Sequence, residues 1–349
     1  MDSILDQVMT SKHLSNLKTF NPHQILESIL EALSEREQEI IRLRHGLSGY
    51  DKKTLEDIGK KYTVTRERVR QIENSSLKKI IKNFDQSYLK EVEQIANAIL
   101  AEHGGMMSED NLVRELLVIP GQNDENRSAI KFVLNQLLKH RFQYIKGNKQ
   151  YNDFWKTPEA SVDLFHDSVD SVRGLIKEHG DPLLLDELIP KVESAEFYTS
   201  NDNLTDKVIV NFIDITKKLE TNPYEEYGLV EWPSITPKRM NDKIYLVLMK
   251  EAKPLHFTEI ANTINKKGFD HRKAYPATIH NELILDKKYV LVGRGIYALK
   301  EWGYKPGVAS DVIADILNDT GRPMSKKEIV KEVMERRMIK ETTITLALM

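Results

Sequence analysis

Arg66, Arg68 and Arg70 stand within five positions, inside the stretch TVTRERVRQIENSSLKKI that spans residues 63–80. Arginine forks parallel N–H donors onto guanine O6 and N7, or onto phosphate, so arginines repeated on regular structure suit an anion of repeating geometry. Read at 3.6 residues per turn, Val69, Ile72, Leu77 and Ile80 form one apolar stripe of the helix that follows Thr65. Arg66, Glu67, Arg70, Gln71 and Asn74 fall on the opposite face, with Arg68 on its flank. Gln bridges adenine, and a carboxylate such as Glu67 accepts from the cytosine amino group. The set gathers toward the helix N-terminus, the end that a recognition helix presents to the major groove. The chemistry implied is recognition of nucleic acid by binding.

A second helix must hold this one in place. In KKTLEDIGKKYTV, Thr54 caps a helix whose first turn carries Glu56 and Asp57, matching the positive end of its dipole. Leu55, Ile58 and Tyr62 face inward, Gly59 permits close packing, and a tight turn at Thr63 and Val64 joins the two helices. Upstream, LSEREQEIIRLRHGL opens with a capping box from Ser34 to Glu37 and lays Ile40, Ile41, Leu43 and Leu47 along a core face. Three or more helices are expected to make a self-sufficient small domain.

Charge is distributed to match. Residues 52–82 hold ten Lys or Arg against four Asp or Glu, a net of +6, which leaves −8 for the remainder of a 349-residue chain whose total is −2. Such asymmetry marks a local anion site. Cys is absent, which excludes disulfides and thiolate metal sites. None of the ten His forms an HxH or HExxH arrangement, and no nucleophile elbow or Gly-rich nucleotide loop occurs. Neither an enzyme nor a metal or other cofactor is expected. No apolar run approaches the roughly 20 residues of a membrane helix, and a secretory signal is lacking, so a cytoplasmic protein without membrane contact is expected.

LSEREQEIIRLRHGL followed by TLEDIGKKYTVTRERVRQIENSSLKKI closely resembles region 4 of the primary sigma factors of bacterial RNA polymerase, over residues 30–82. That region reads the −35 promoter element. The resemblance implies that Arg66, Glu67, Arg68, Arg70 and Gln71 touch DNA, and that Arg42, Leu43, Arg44 and Gly46 belong to a surface docking on the polymerase β-subunit flap. Nothing resembling the regions that bind core polymerase and melt the −10 element stands elsewhere in the chain. Lys60, Lys61, Lys78 and Lys79 are expected on phosphates, and Thr54, Thr65 and Asn74 complete the expected contacts. The partners implied are promoter duplex DNA and RNA polymerase, with a monomer as default. The alternative is an adaptor that binds polymerase or regulatory proteins without reading DNA itself.

Beyond residue 85, EHGGMMSEDNLVREL, EHGDPLLLDELIPKV, EAKPLHFTEIANTI and DTGRPMSKKEIVKEV share one plan. Aligning Met107, Leu183, Leu255 and Met324 gives steps of 76, 72 and 69 residues, too long for a solenoid and suited to a string of similar small domains. The third copy ends in two apolar strands, 289–292 and 296–299, joined through Gly293-Arg294-Gly295. Three helices and a hairpin make a winged helix, with Arg294 at the wing tip as a further DNA contact. This copy resembles the HARE-HTH domain over residues 242–302, through KPLHFTEIANTI and YVLVGRGIYAL. That domain occurs in the delta subunit of bacterial RNA polymerase and in chromatin and restriction proteins. The fold expected is mainly α with small β-hairpins, a helix-turn-helix domain followed by winged-helix-like units. The divisions are an N-terminal extension (1–20), the region 4-like domain (21–84), a winged-helix-like unit (85–160), a degenerate one (161–238), the HARE-HTH-like unit (239–305) and an incomplete one (306–349).

Overall fold

The computed structural model of the chain describes residues 21–348 apart from 84–85, 119, 305–308 and 337–340. The expected extension at 1–20 lies outside the described residues, as do the boundaries drawn at 84/85 and 305/306. Four helices come first: α1 (Pro22–Leu30), α2 (Glu35–His45), α3 (Leu55–Tyr62) and α4 (Arg66–Asn83). Asn21 Oδ1 accepts from the Gln24 N–H at 3.2 Å, just ahead of Pro22, whose missing N–H costs nothing at a helix start. At the start of α2 the Glu37 carboxylate accepts from both the backbone N–H (3.1 Å) and the hydroxyl (2.9 Å) of Ser34. α2 stops at Gly46, in the left-handed region with φ 67° and ψ 49°.

Three times thereafter the chain runs helix, short strand, further helices, then two strands. The first copy is α5 (Gln86–Glu102), β1 (Met106–Ser108), α6 (Glu109–Leu116), α7 (Asp124–Phe132) with a π-turn (Val133–Leu137), β2 (Gln143–Ile145) and β3 (Phe154–Lys156). The second is α8 (Val162–His179), β4 (Leu183–Leu184), α9 (Leu185–Glu193), α10 (Glu196–Thr199), α11 (Asp206–Ile215), β5 (Leu219–Thr221) and β6 (Glu226–Leu229). The third is α12 (Met240–Glu251), β7 (Leu255–His256), α13 (Phe257–Lys267), α14 (Pro276–Leu285), β8 (Tyr289–Gly293) and β9 (Ile296–Leu299). Then α15 (Ala309–Thr320), α16 (Lys326–Arg336) and α17 (Glu341–Ala347) follow, with no strand among their described residues.

Each sheet is antiparallel with its last strand in the middle: β1-β3-β2, β4-β6-β5 and β7-β9-β8. Met107, Leu183 and Leu255 each sit in a first strand, opposite an aromatic residue of the central strand: Trp155, Tyr227 and Tyr297. The repeat read from sequence is thus a repeat of register. Met324, the fourth aligned residue, lies just before α16 and in no strand. The second copy, expected to be degenerate, keeps all three strands. Between α9 and α11 the short helix α10 carries Tyr198, whose Oη donates to Asp206 at the start of α11 at 3.1 Å.

A single apolar core runs from the first helices into the first repeat. Leu26, Ile29 and Leu30 of α1 are fully buried in one cluster with Ile41, Ile80, Ala129, Ile130, Phe132 and Trp155. α1 packs on α7, and the His45 ring meets Phe132 edge-on at 5.0 Å. The apolar side of α1 is thus covered by the next repeat. A second cluster, Ile40, Leu43, Ile58 and Val69 with Leu55, Tyr62, Val64 and Ile72 against it, ties α2, α3 and α4 together. By its contacts the chain divides into two units, residues up to 174 with 191–218, and 175–190 with 219 onward. The third repeat has its own core around Ile244, Val247, Ile260 and Leu283, and α15–α17 theirs around Val312, Ile316 and Val333. Among the described residues no helix is long and apolar enough to cross a membrane.

Candidate nucleic-acid interface

The turn between α3 and α4 fixes the arginine helix. Thr54 Oγ1 accepts from the Asp57 N–H at 3.2 Å and donates to its carboxylate at 2.7 Å, closing the start of α3. α3 ends at Thr63, left-handed at φ 54° and ψ 44°, and the Val64 N–H returns to the Gly59 carbonyl at 2.9 Å. Gly59 allows this return, since a Cβ there would stand 2.7 Å from the Val64 carbonyl oxygen. Thr65 then opens α4, its hydroxyl accepting from the Arg68 N–H at 3.2 Å.

α4 buries Val69 and Ile80 fully and Ile72 and Leu77 in part, as the 3.6-residue pattern predicts. Arg66, Glu67, Arg68, Arg70, Gln71, Asn74 and Lys78 are all exposed. Two pairs order this face. Arg70 grips Glu67 with two hydrogen bonds, Nε to Oε2 at 2.8 Å and Nη2 to Oε1 at 2.7 Å, and Arg68 Nη1 donates to Gln71 Oε1 at 3.3 Å. The Arg70 guanidinium holds the Glu67 carboxyl below its usual range, and Glu67 in turn raises Arg70. A fully exposed pair of this kind is weak, because water screens both charges.

The lysines divide differently. Lys79 Nζ lies 2.6 Å from Glu37, Lys61 pairs with Glu39, and Lys60 stands 3.3 Å from Glu56 one turn earlier. Glu37 is largely buried, and its hydrogen bond from Lys79 is the main cause holding its carboxyl low. Lys79 thus fastens α4 to α2. Lys78 has no carboxylate at ion-pair distance among the described residues.

Glu73, passed over in the sequence because it is polar on an apolar stripe, is only 14% exposed. It stands 3.4 Å from Arg44 Nε and 3.2 Å from His45 Nε2. Burial pushes the Glu73 carboxyl up, but His45 and Arg44 more than offset this and hold it below its usual range. The residues expected at a polymerase-docking surface are placed as follows. Arg42 pairs with Glu27 of α1, which also accepts from Ser48 Oγ at 2.6 Å. Leu43 is buried in the α2–α3–α4 core, Arg44 contacts Glu73, and Gly46 ends the helix. Arg294 is exposed between β8 and β9, in the second unit and apart from the arginine helix in the chain. Among the described residues no three His, Asp or Glu gather as a metal site.

The comparisons with known proteins fall on the same segment. Residues 29–82 match the family described as Sigma-70, region 4. The chain is 50% identical over 66 residues to the RNA polymerase sigma factor SigA of Nostoc sp., covering 19% of this chain and 17% of that protein. It is 55% identical over 56 residues to the RNA polymerase sigma factor RpoD of Helicobacter pylori, covering 16% and 8%, and 51% identical over 55 residues to SigA of a Bacillus species, covering 16% and 15%. The chain thus spans less than a fifth of the length of these relatives. No solved structure matches it. On these residues, capped and packed as a helix-turn-helix, the segment 29–82 is a Sigma-70 region 4 domain.

Proposed function

We propose that this chain is a DNA-binding protein of transcription initiation that reads a −35-like promoter element through α4 and contacts RNA polymerase. The observation that carries this reading is the exposed set Arg66, Glu67, Arg68, Arg70, Gln71 and Asn74 at the start of α4, within the region 4 domain at 29–82. Base edges are read by Arg66, Arg70 and Gln71, with Thr65, Lys78 and the other cations on phosphates. The protein acts by binding, without catalysis, and the β flap of polymerase is met from the α2 side. The repeats, each with a strand order closed by its last strand, are proposed to be winged-helix units, the third of HARE-HTH type. Selection of bound duplexes from a randomised pool by the intact protein tests the reading. Enrichment of one −35-like sequence is expected. A pool that stays random after repeated rounds contradicts sequence readout and leaves the adaptor alternative.

A further inference from the structure

The hairpin of the first repeat carries a concentration of positive charge that α4 does not account for. Residues 139–150 hold Lys139, Arg141, Lys146 and Lys149 and no Asp or Glu, although the chain outside 52–82 is acidic overall. All four are exposed. The loop that presents them is built rigidly. Asn148 Oδ1 accepts from the N–H groups of Gln150 (2.7 Å) and Tyr151 (3.2 Å), and the Asn148 N–H donates to the Tyr151 carbonyl at 3.0 Å. Asp153, the one carboxylate before β3, is exposed and accepts from Tyr144 Oη at 2.5 Å and the Gly147 N–H at 2.6 Å; these bonds, with Lys146 and Lys217 nearby, hold its carboxyl below the usual range. Folding adds a further cation from far along the chain. Lys217 donates from Nζ to the Asn148 carbonyl at 2.8 Å and from its backbone to the Gln150 carbonyl at 2.7 Å.

The sister hairpins differ at the same place in the fold. Over the matching stretch, from four residues before the first strand into the loop, the second holds Lys217 and Lys218 against Glu220 and Glu225, and the third Lys287, Lys288 and Arg294 against Asp286. The first is thus the most basic of the three and has no carboxylate in that stretch. It also belongs to the same packed unit as α4, which touches the π-turn Val133–Leu137. Lys139 and Lys146 follow that turn by two and nine residues, at most about 7 Å and about 32 Å of chain. Lys139 thus stands close to the π-turn that α4 touches, and Lys146 no farther from that turn than one duplex turn, about 34 Å.

We infer that the β2–β3 hairpin, through Lys146, Lys149 and Lys217, is a second DNA-binding site that grips the phosphate backbone of the duplex engaged by α4. The choice of duplex DNA as its partner rests on the reading of α4 given above. Cations set on phosphates supply affinity and salt dependence without sequence preference.

The test is the double variant Lys146→Ala/Lys149→Ala in the full chain, alongside Arg70→Ala. Binding to a promoter duplex and a scrambled duplex of about three helical turns is followed by fluorescence anisotropy across a salt series. The double variant is expected to bind both duplexes more weakly and to flatten the log–log salt slope by about 1.8, or about 0.9 for each phosphate no longer neutralised. Lys146→Arg/Lys149→Arg should restore the slope. A double variant with unchanged slope and affinity on both duplexes overturns the inference, even where Arg70→Ala still removes promoter preference. Equal binding of both duplexes by the wild type contradicts the α4 reading, yet a slope flattened by the double variant would still uphold the hairpin site.

Discussion

Gly59→Ala separates this structure from generic helix propensity by the sign of its effect. Replacing a mid-helix glycine with alanine ordinarily stabilises by about 1 kcal/mol. Here the added Cβ stands 2.7 Å from the Val64 carbonyl oxygen, with Arg66 N at 3.5 Å and Thr65 C at 3.6 Å. The obstacle is backbone, fixed by the bond from Val64 N–H to Gly59 O, so no side chain can swing aside. Overpacking of this kind costs about 1–3 kcal/mol, and an unyielding neighbour places it at the upper end. Subtracting the propensity gain leaves a net loss of about 2 kcal/mol. In a cooperative unit of this size that lowers Tm by about 4–8 °C. Calorimetry on the full chain reads the shift, and promoter affinity should fall with it because the same turn sets the start of α4. A Gly59→Ala protein with an unchanged or higher Tm would refute the close return of the turn.

Arg70→Ala should weaken binding to a cognate duplex by about 1–3 kcal/mol and leave random DNA nearly unaffected, whereas Lys78→Ala should weaken both alike and flatten the salt slope by about 0.9, as titrations on the two duplexes will show. Glu73→Gln should destabilise the first unit by breaking its contacts with Arg44 and His45. Because the folded carboxyl is held below its unfolded value of about 4.3, this contribution is complete above that pH and is lost as pH falls through the folded value. The Tm gap between wild type and Glu73→Gln should therefore be widest near neutrality and close in acid. A fragment ending at residue 83 uncovers the α1 surface that packs on α7, so circular dichroism should find it melting below the full chain; an equal Tm would contradict the shared core.

Much of the interface was legible because its physics is local. The stripe Val69, Ile72, Leu77 and Ile80, the caps at Thr54 and Ser34, and the turn at Thr63 each depend on residues within one or two helical turns. The pairing of Lys79 with Glu37 and of Glu73 with Arg44 was hidden, since partners that lie 42 and 29 positions apart meet only after α2 and α4 pack. A polar residue on an apolar stripe is ambiguous until its counter-charge is known. Strands of two residues, as at Leu183–Leu184 and Leu255–His256, are too short to show alternation, though the aligned repeat marked their positions. The second hairpin was obscured because TNPYEEYG reads as a polar loop, and its strands owe their pairing to Leu219 and Leu229 at the ends. An amphipathic helix announces that it has a partner but not which one, so the burial of α1 under α7 could not be read in advance. Lys217, delivered to the first hairpin by α11, is the same case for charge.

The most direct test of the central claim is binding of the intact protein to a duplex containing a −35 element and to its scrambled counterpart, over a salt series, with and without core RNA polymerase. The free protein is predicted to prefer the promoter duplex, and the preference should vanish when Arg66 and Arg70 are replaced by alanine. Equal binding to both duplexes, or a preference seen only when polymerase is present, would contradict readout by α4.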